Sequence, residues 1–320
     1  MSRTDLAVRI RAKEMLTPSI CRFELCPADG GALPPFTPGA HVNVRGPGGT
    51  VRSYSLTDGD EHVYAISVAR DPAGRGGSVA LVDGTAVGDT LTVSAPRNDF
   101  ALLPAKRHLL IAGGIGITPM RAMFHRLRAE GGSVRLLYLT RTEEETAYLS
   151  ELGSPELADQ VVLHHSAAAG RLDLWPYLAE PDDGARVYCC GSRPLMEEVR
   201  ALTMHWRPSR IHFEDFAGVD ATRNARPFRA TWAPTGRTVE VGAGETLLDA
   251  LRAQGADVPS SCRSGTCGTC RLRLVSGTAQ HRDLYLSEDE RASFVMPCVS
   301  RAESDTVTVG PVEEVPGQRP

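Results

Sequence analysis

Cys262-Arg263-Ser264-Gly265-Thr266-Cys267-Gly268-Thr269-Cys270 is followed, after 27 further residues, by Cys298. The spacing is C-x4-C-x2-C…C, which holds a plant-type [2Fe–2S] cluster on four thiolates. Small residues between the cysteines let the loop wrap a cluster and aim backbone N–H groups at its sulfurs. Gly265 and Gly268 can take the positive φ angles that such a wrap needs. Structural zinc also uses four cysteines, but it usually sets them as two short C-x2-C knuckles or adds histidine. Here three thiols share one loop and the fourth is remote, which favours iron–sulfur over zinc. Disulfides fit less well. The chain opens Met1-Ser2-Arg3-Thr4-Asp5 with no apolar stretch, so a cytoplasmic chain with reduced thiols is expected.

At 320 residues the chain is long enough for two or three domains, each with its own core. Its 42% hydrophobic and 23% charged residues are ordinary for a globular protein. A formal net charge of −4 argues against a general nucleic-acid binder. No apolar run approaches the ~20 residues of a membrane helix; the run Leu109 to Ile117 is short and holds three glycines. Outside the cluster motif stand Cys21, Cys26, Cys189 and Cys190. The first two lie in a strand-like segment and read as small core or surface residues.

Three sections follow along the chain. Residues 1–103 carry short β-rich runs (Ala7–Ile10, Cys21–Leu25, His41–Val44, Val51–Leu56, Val63–Val68, Thr90–Ser94) separated by Gly, Pro and Asp, which predicts an antiparallel barrel or sandwich. Residues 104–217 alternate strands (His108–Ala112, Val134–Leu139, Val161–His164, Arg186–Cys190, Arg210–Phe213) with helices from Thr118, over Glu143–Leu152 and over Pro194–Met204. That alternation predicts an α/β domain with a parallel sheet and helices on both faces. Residues 218–227 read as a linker. From 228 to 320 come a strand pair about Pro234-Thr235-Gly236, a helix over Glu245–Ala253 and the cysteine loop.

Chemistry-bearing motifs mark the first two sections. Arg52-Ser53-Tyr54-Ser55-Leu56 at a strand end suits a flavin: Arg52 for a phosphate, Tyr54 for packing, Ser55 for a hydrogen bond to the ring. An ordinary amphipathic strand is the plain alternative. Gly74-Arg75-Gly76-Gly77-Ser78 opens a helix at Val79, where backbone N–H groups can cradle a phosphate; a Gly-rich turn is the alternative. Gly113-Gly114-Ile115-Gly116-Ile117-Thr118-Pro119 joins a strand to a helix. It is not a P-loop and lacks the third glycine of the dinucleotide fingerprint, yet it suits a pyrophosphate at a helix start. Cys189-Cys190-Gly191-Ser192-Arg193-Pro194 repeats the same strand–turn–helix logic. A small thiol there lets a flat ring approach, the alternative being a buried structural cysteine.

In this order, and together with Ala95–Phe100, His212-Phe213-Glu214-Asp215-Phe216, His281-Arg282-Asp283 and Met296–Arg301, these blocks resemble the phthalate dioxygenase reductase family. The similarity runs from Leu6 to Val309. The resemblance implies an FMN-binding β-barrel, an NAD-binding α/β domain and a C-terminal α+β (β-grasp) ferredoxin domain. It implies FMN contacts from Arg52, Ser53, Tyr54 and Ser55, with Gly76, Gly77 and Ser78 on the phosphate side. Thr118 would lie near flavin and nicotinamide, and Phe216 would cover the flavin ring. Gly114, Gly116, Cys190 and Gly191 would shape the NAD site, and Cys262, Cys267, Cys270 and Cys298 would ligate the cluster. Ser55, Thr118 and Cys190 are the residues expected around the hydride path. Two departures from the family pattern are Arg263, where relatives carry an acid, and Ser192 in place of a proline.

The implied activity is transfer of electrons from NADH through FMN and [2Fe–2S] to a terminal oxygenase, with no side chain acting as acid or base. The partner is expected to be a Rieske-type aromatic oxygenase or O-demethylase, with a cytochrome P450 as the alternative. The chain is expected to act as a monomer, away from membranes and nucleic acid. NADH is favoured over NADPH because Glu143, Glu144 and Glu145 follow the second α/β strand, although Arg141 could bind a 2′-phosphate. Arg263, Arg271 and Arg273 suggest a basic docking face, or else three solvated charges. A non-catalytic iron–sulfur carrier or sensor and a zinc-stabilised interaction domain are readings of other classes.

Overall fold

A computed structural model of the chain describes residues 5–74, 76–216, 225–260, 265, 268–283 and 285–312. The chain divides into two compact units, Met1–Glu214 and Asp215–Pro320. Among the described residues of the first unit, β1 (Asp5–Met15), β2 (Ile20–Pro27), β3 (His41–Arg45), β4 (Val51–Gly59), β5 (Tyr64–Ala69) and β6 (Thr90–Ser94) close a barrel. Its strand order is β1-β2-β5-β4-β3-β6. Every pairing is antiparallel. Strict alternation makes the core: Val8 and Ile10, Cys21, Phe23 and Leu25, then Tyr64, Ile66 and Val68 all point inward. Closure removes the exposed strand edges that would invite aggregation. The helix α1 (Gly77–Asp83) adds Leu81 and Val82 to the same core. Lys13 Nζ donates to the Val82 and Thr85 carbonyls at its C-terminal end.

The same unit holds a parallel sheet of β7 (Arg107–Gly113), β8 (Ser133–Thr140), β9 (Val161–His165), β10 (Ala185–Cys190) and β11 (Ile211–Glu214), in the order β11-β10-β7-β8-β9. Its helices are α2 (Ile117–Ala129), α3 (Leu149–Leu152), α4 (Ser166–Ala169), α5 (Trp175–Leu178) and α6 (Arg193–Leu202). On one face Leu110, Ala112 and Leu136 meet Met120, Met123 and Phe124 of α2. On the other, Ile111, Leu137 and Val187 meet Leu195, Met196 and Val199 of α6. Successive strand residues thus serve opposite helix layers, as the predicted two-faced sheet requires.

The helix expected over Glu143–Leu152 is shortened to Leu149–Leu152. Thr140 and Thr146 hydroxyls both donate to the Thr142 carbonyl, so side chains replace the helical ladder there. Tyr148 then takes φ 60°, a left-handed conformation that stops a helix from extending back through it.

In the second unit β12 (Phe228–Trp232) and β13 (Arg237–Val241) form the expected hairpin, with Gly236 at φ 68° in the turn. The helix α7 (Leu247–Ala253) is capped by the Thr246 hydroxyl, which accepts from the Asp249 N–H at 3.1 Å. Beyond the cysteine loop lie β14 (Leu272–Ser276), β15 (Ala279–Gln280), β16 (Phe294–Val295), β17 (Arg301–Ala302) and β18 (Thr306–Gly310). The main sheet runs β13-β12-β18-β14-β16, with β12 and β18 parallel and the other pairs antiparallel. Arg301 is buried in this unit and donates to the carbonyls of Glu245, Gly242 and Arg226, with its guanidinium over the Phe228 ring. Of the linker expected at 218–227, residues 218–224 lie outside the described residues. No helix among the described residues is long and apolar enough to cross a membrane.

His212 on β11 stacks on Tyr188 of β10, with ring centroids 4.6 Å apart. Burial, helped by the neighbouring Arg186 charge, pushes its imidazole down from 6.5 to about 4. Between those values the unfolded chain binds a proton that the native state refuses, so stability falls as pH drops through this window. The thermal midpoint should therefore decline from about pH 6.5 toward pH 4, and His212→Gln should show a shallower decline over the same range. Equal slopes in the two proteins would show that His212 does not drive the effect.

Candidate functional site

β4 carries the residues of the first motif. Leu56 enters the barrel core and Tyr54 packs against it. Burial pushes the Tyr54 phenol up to about 12, so it stays neutral. Ser53 donates to the Asn43 side chain on β3 at 2.7 Å. Ser55 is buried, and its Oγ has no hydrogen-bond partner among the described residues. A buried hydroxyl left unpaired costs free energy unless something else supplies the partner. Beside this strand, Gly76 adopts φ 78° just before α1. A Cβ at Gly77 would lie 3.0 Å from Thr50 and 3.2 Å from Arg52 Nε, so the glycine lets the start of α1 press against Arg52. The Ser78 hydroxyl accepts from the Asp71 N–H. Arg75 lies outside the described residues.

The third and fourth motifs meet at the sheet's switch point. The chain runs β7-β8-β9 in one direction and returns to the other side of β7 for β10 and β11. Open α/β sheets bind ligands in the crevice at such a reversal, outside the carboxyl ends of the strands. Here the two strand-to-helix turns interlock. A Cβ on Gly116 would lie 2.1 Å from the Cys190 carbonyl oxygen, and one on Gly191 would lie 3.0 Å from Gly113 Cα. Gly114 has φ 53°. Thr118, in the first turn of α2, is buried and donates to the Ile115 carbonyl at 3.0 Å. Cys190 ends β10 fully buried. Its neighbour Cys189 faces the opposite layer, where burial pushes its thiol up to about 12.

A cavity of about 380 Å³ opens from this point, lined by Gly113, Gly114 and Ser192 at one end and by Thr140, Arg141, Glu145, His164, Ser166 and Arg171 off β8 and β9. Of the three acids expected to face a nucleotide, Glu145 lines this cavity while Glu143 and Glu144 do not. Arg171 lines it too, paired with Glu198. Arg171 and Ser166 escaped the sequence reading because nothing in their local sequence marks them; proximity across strand ends does. Glu214 appeared in sequence only as part of the His212–Phe216 block, with no role of its own. It pairs in register with Cys190, which sets an acid beside the thiol at the carboxyl edge of the sheet.

In the second unit Cys270 and Cys298 are both buried in one apolar cluster. Gly265 and Gly268 have φ 80° and 73°, the left-handed values expected of a loop wrapping a cluster. A Cβ on Gly268 would lie 2.2 Å from the Tyr285 ring, and one on Gly265 2.6 Å from Val299. Cys262 and Cys267 lie outside the described residues. Phe216 belongs to this unit and is 43% exposed. Of the arginines expected on a docking face, Arg263 lies outside the described residues. Arg271 is paired with Glu290 at 3.1 Å and packs over Phe294. The donor chemistry and glycine geometry of this loop fit an iron–sulfur cluster, as the orphaned Ser55 hydroxyl and the glycine approach at Arg52 fit a flavin.

Residues 230–303 match the 2Fe-2S iron-sulfur cluster binding domain, and residues 96–207 match the dimethylamine monooxygenase subunit DmmA-like N-terminal domain. The phthalate 4,5-dioxygenase oxygenase reductase subunit of Pseudomonas putida is 44% identical over 310 residues, covering 94% of this chain and 95% of its own. The chain belongs to the phthalate dioxygenase reductase family. A solved structure of phthalate dioxygenase reductase, described as modular for electron transfer from pyridine nucleotides to [2Fe-2S], superposes with a TM-score of 0.82. It is 43% identical and covers 96% of this chain and 98% of that one. An intact type IV self-sufficient cytochrome P450 monooxygenase matches with a TM-score of 0.76 and 35% identity, over 95% of this chain and 41% of that one. As a member of the phthalate dioxygenase reductase family, the chain is an electron-transfer oxidoreductase, the reductase component of an oxygenase system.

The glycines at the switch point serve different needs, and substitution separates them. Gly116→Ala drives a methyl into the Cys190 carbonyl and should cost roughly 1–3 kcal/mol in urea unfolding, with weakened NADH binding. Gly114→Ala meets open space and should cost only the left-handed backbone penalty of about 1 kcal/mol. Equal costs would show that β10 yields to make room.

Proposed function

We propose that the chain carries electrons from NADH through FMN and a [2Fe–2S] cluster to a Rieske-type aromatic oxygenase or O-demethylase in the cytoplasm. The observation that carries this reading is the Ser55 hydroxyl, buried and unpaired on the barrel strand that bears Arg52 and Tyr54, in the same compact unit as a switch-point cavity. When bound, the cofactors supply hydride acceptance and one-electron relay; the protein supplies binding and orientation.

Arg52 gives a bidentate cation for a flavin phosphate, joined by backbone N–H groups at Gly76, Gly77 and Ser78. Tyr54, held neutral, offers a flat apolar surface to the flavin. Ser55 donates to the ring and so gains the partner it otherwise lacks. Thr118 commits its hydroxyl proton to the Ile115 carbonyl, so its oxygen can act only as an acceptor. Gly114, Gly116, Cys190 and Gly191 would shape the nicotinamide side, Gly116 and Gly191 by letting the two turns close on each other. Cys262, Cys267, Cys270 and Cys298 hold the cluster. No side chain here is asked to move a proton. In the cavity Arg171 is already paired with Glu198, and Glu145 adds an acid to the same lining as Arg141, which supports NADH over a 2′-phosphate. The match to the P450 monooxygenase supports a P450 acceptor as the second reading.

Anaerobic titration with NADH, followed by visible absorption, should bleach both flavin and iron–sulfur bands at about three electrons per protein. Bleaching of flavin alone would remove the cluster from the pathway, and bleaching of neither would overturn the reductase reading. Cys267→Ala should keep NADH-to-flavin reduction and lose cytochrome c reduction. The kcat/KM for NADH should exceed that for NADPH, and the reverse order would refute the charge argument.

A further inference from the structure

Ser55 and Thr118 stand on different elements, a barrel strand and a sheet-domain helix. The alignment of a hydride donor and acceptor held by them depends on how those elements are joined. Arg121 lies one turn beyond Thr118 on α2, and Thr57 lies two residues beyond Ser55 on β4. Arg121 Nη1 donates to the Thr57 carbonyl at 3.0 Å. Its Nε and Nη2 grip both oxygens of Glu151 at 2.8–3.1 Å. The guanidinium lies 4.7 Å over the ring of Tyr148. The Tyr148 hydroxyl in turn bonds the Ser67 hydroxyl on β5 at 2.6 Å. Glu151 takes a further bond from His125 at 2.5 Å.

Two features show that this cluster is over-determined. The Arg121 side chain is only 11% exposed, yet its charge is paired and its donors are spread over barrel and sheet partners. Tyr148 is the single non-glycine residue with positive φ among the described residues, a conformation that persists only where surrounding contacts demand it. Burial alone would raise the Glu151 carboxyl, but hydrogen bonds from His125 and Arg121 hold it down at about 2, so the pair stays charged across the working pH range.

We infer that Arg121 is a positioning residue for hydride transfer: by tying α2 to β4 it sets the separation of Thr118 and Ser55, and with it the approach of nicotinamide to flavin. Arginine suits the task because its planar fork binds a carboxylate bidentately while a further N–H reaches a backbone carbonyl. A lysine could keep one of these bonds. The inference rests on the flavin and nicotinamide reading above.

The test uses full-length holoenzyme with Arg121→Lys and with the double variant Arg121→Met/Glu151→Gln, which leaves no half-buried carboxylate without its arginine. Wild-type flavin reduction by NADH, followed by stopped flow, comes first, since its absence would overturn the underlying reading rather than this one. The limiting reduction rate should then fall roughly 10–100-fold in the double variant, with the half-saturating NADH concentration unchanged. The lysine variant should recover part of that loss. Hydrogen exchange of the α2 amides at 117–121, measured without nucleotide, should quicken in the same order. A double variant that keeps bound flavin and the wild-type limiting rate overturns the inference. So does a rate loss that merely follows loss of flavin, or exchange at α2 that does not change.

Discussion

The carboxyl ends of β7 and β10 meet backbone to backbone, and the nucleotide side of the first unit depends on that contact. No side chain fits between the Gly116 Cα and the Cys190 carbonyl, or between Gly113 and Gly191. Parallel strands lie about 5 Å apart, so turns that leave neighbouring strands for opposite helix layers crowd each other. Glycine relieves the crowding in each turn. The helices α2 and α6 can then begin beside one another, and the cavity lined by Gly113, Gly114 and Ser192 extends to residues of β8 and β9.

A second contact of another kind joins barrel to sheet. There the bonds are polar and half-buried, and each charged group is matched: Arg121 to Glu151, Glu151 to His125. A half-satisfied network at such a seam would cost more than an apolar one. This one also draws on a backbone carbonyl, a tyrosine ring and a hydroxyl pair, so its geometry is set from several directions. Against that rigidity the Ser55 hydroxyl stands out as a buried polar group with no bonding partner among the described residues. The cysteine loop shows the same economy in another form. Its glycines accept a tyrosine ring and a valine methyl where any Cβ would collide.

Much of the architecture could be read from local pattern. The six barrel strands announce themselves by alternation, because each has one face on a core and one on solvent. The strands of the parallel sheet show as short apolar runs because both faces are covered. Where local pattern misled, tertiary contact had overruled it. The stretch after Thr140 has helical composition, yet threonine hydroxyls capture its carbonyls and Tyr148 turns to reach Ser67. The two-residue strands β15, β16 and β17 carry no period at all and exist only through their partners.

By itself the sequence determined the cluster-binding spacing, the order of a β section, an α/β section and a cysteine-loop section, and the glycine turns that a phosphate or a flat ring requires. Such features follow from neighbours in the chain, where spacing and conformational freedom suffice. Only the tertiary structure decided which residues share the crevice. Ser166 and Arg171 beyond β9 share it with Gly113, Gly114 and Ser192 beyond β7 and β10, stretches remote in sequence, and Arg121 joins the barrel to the helix that carries Thr118. Their roles depend on distances across the sheet and the seam, and a linear pattern of residue types does not encode those distances.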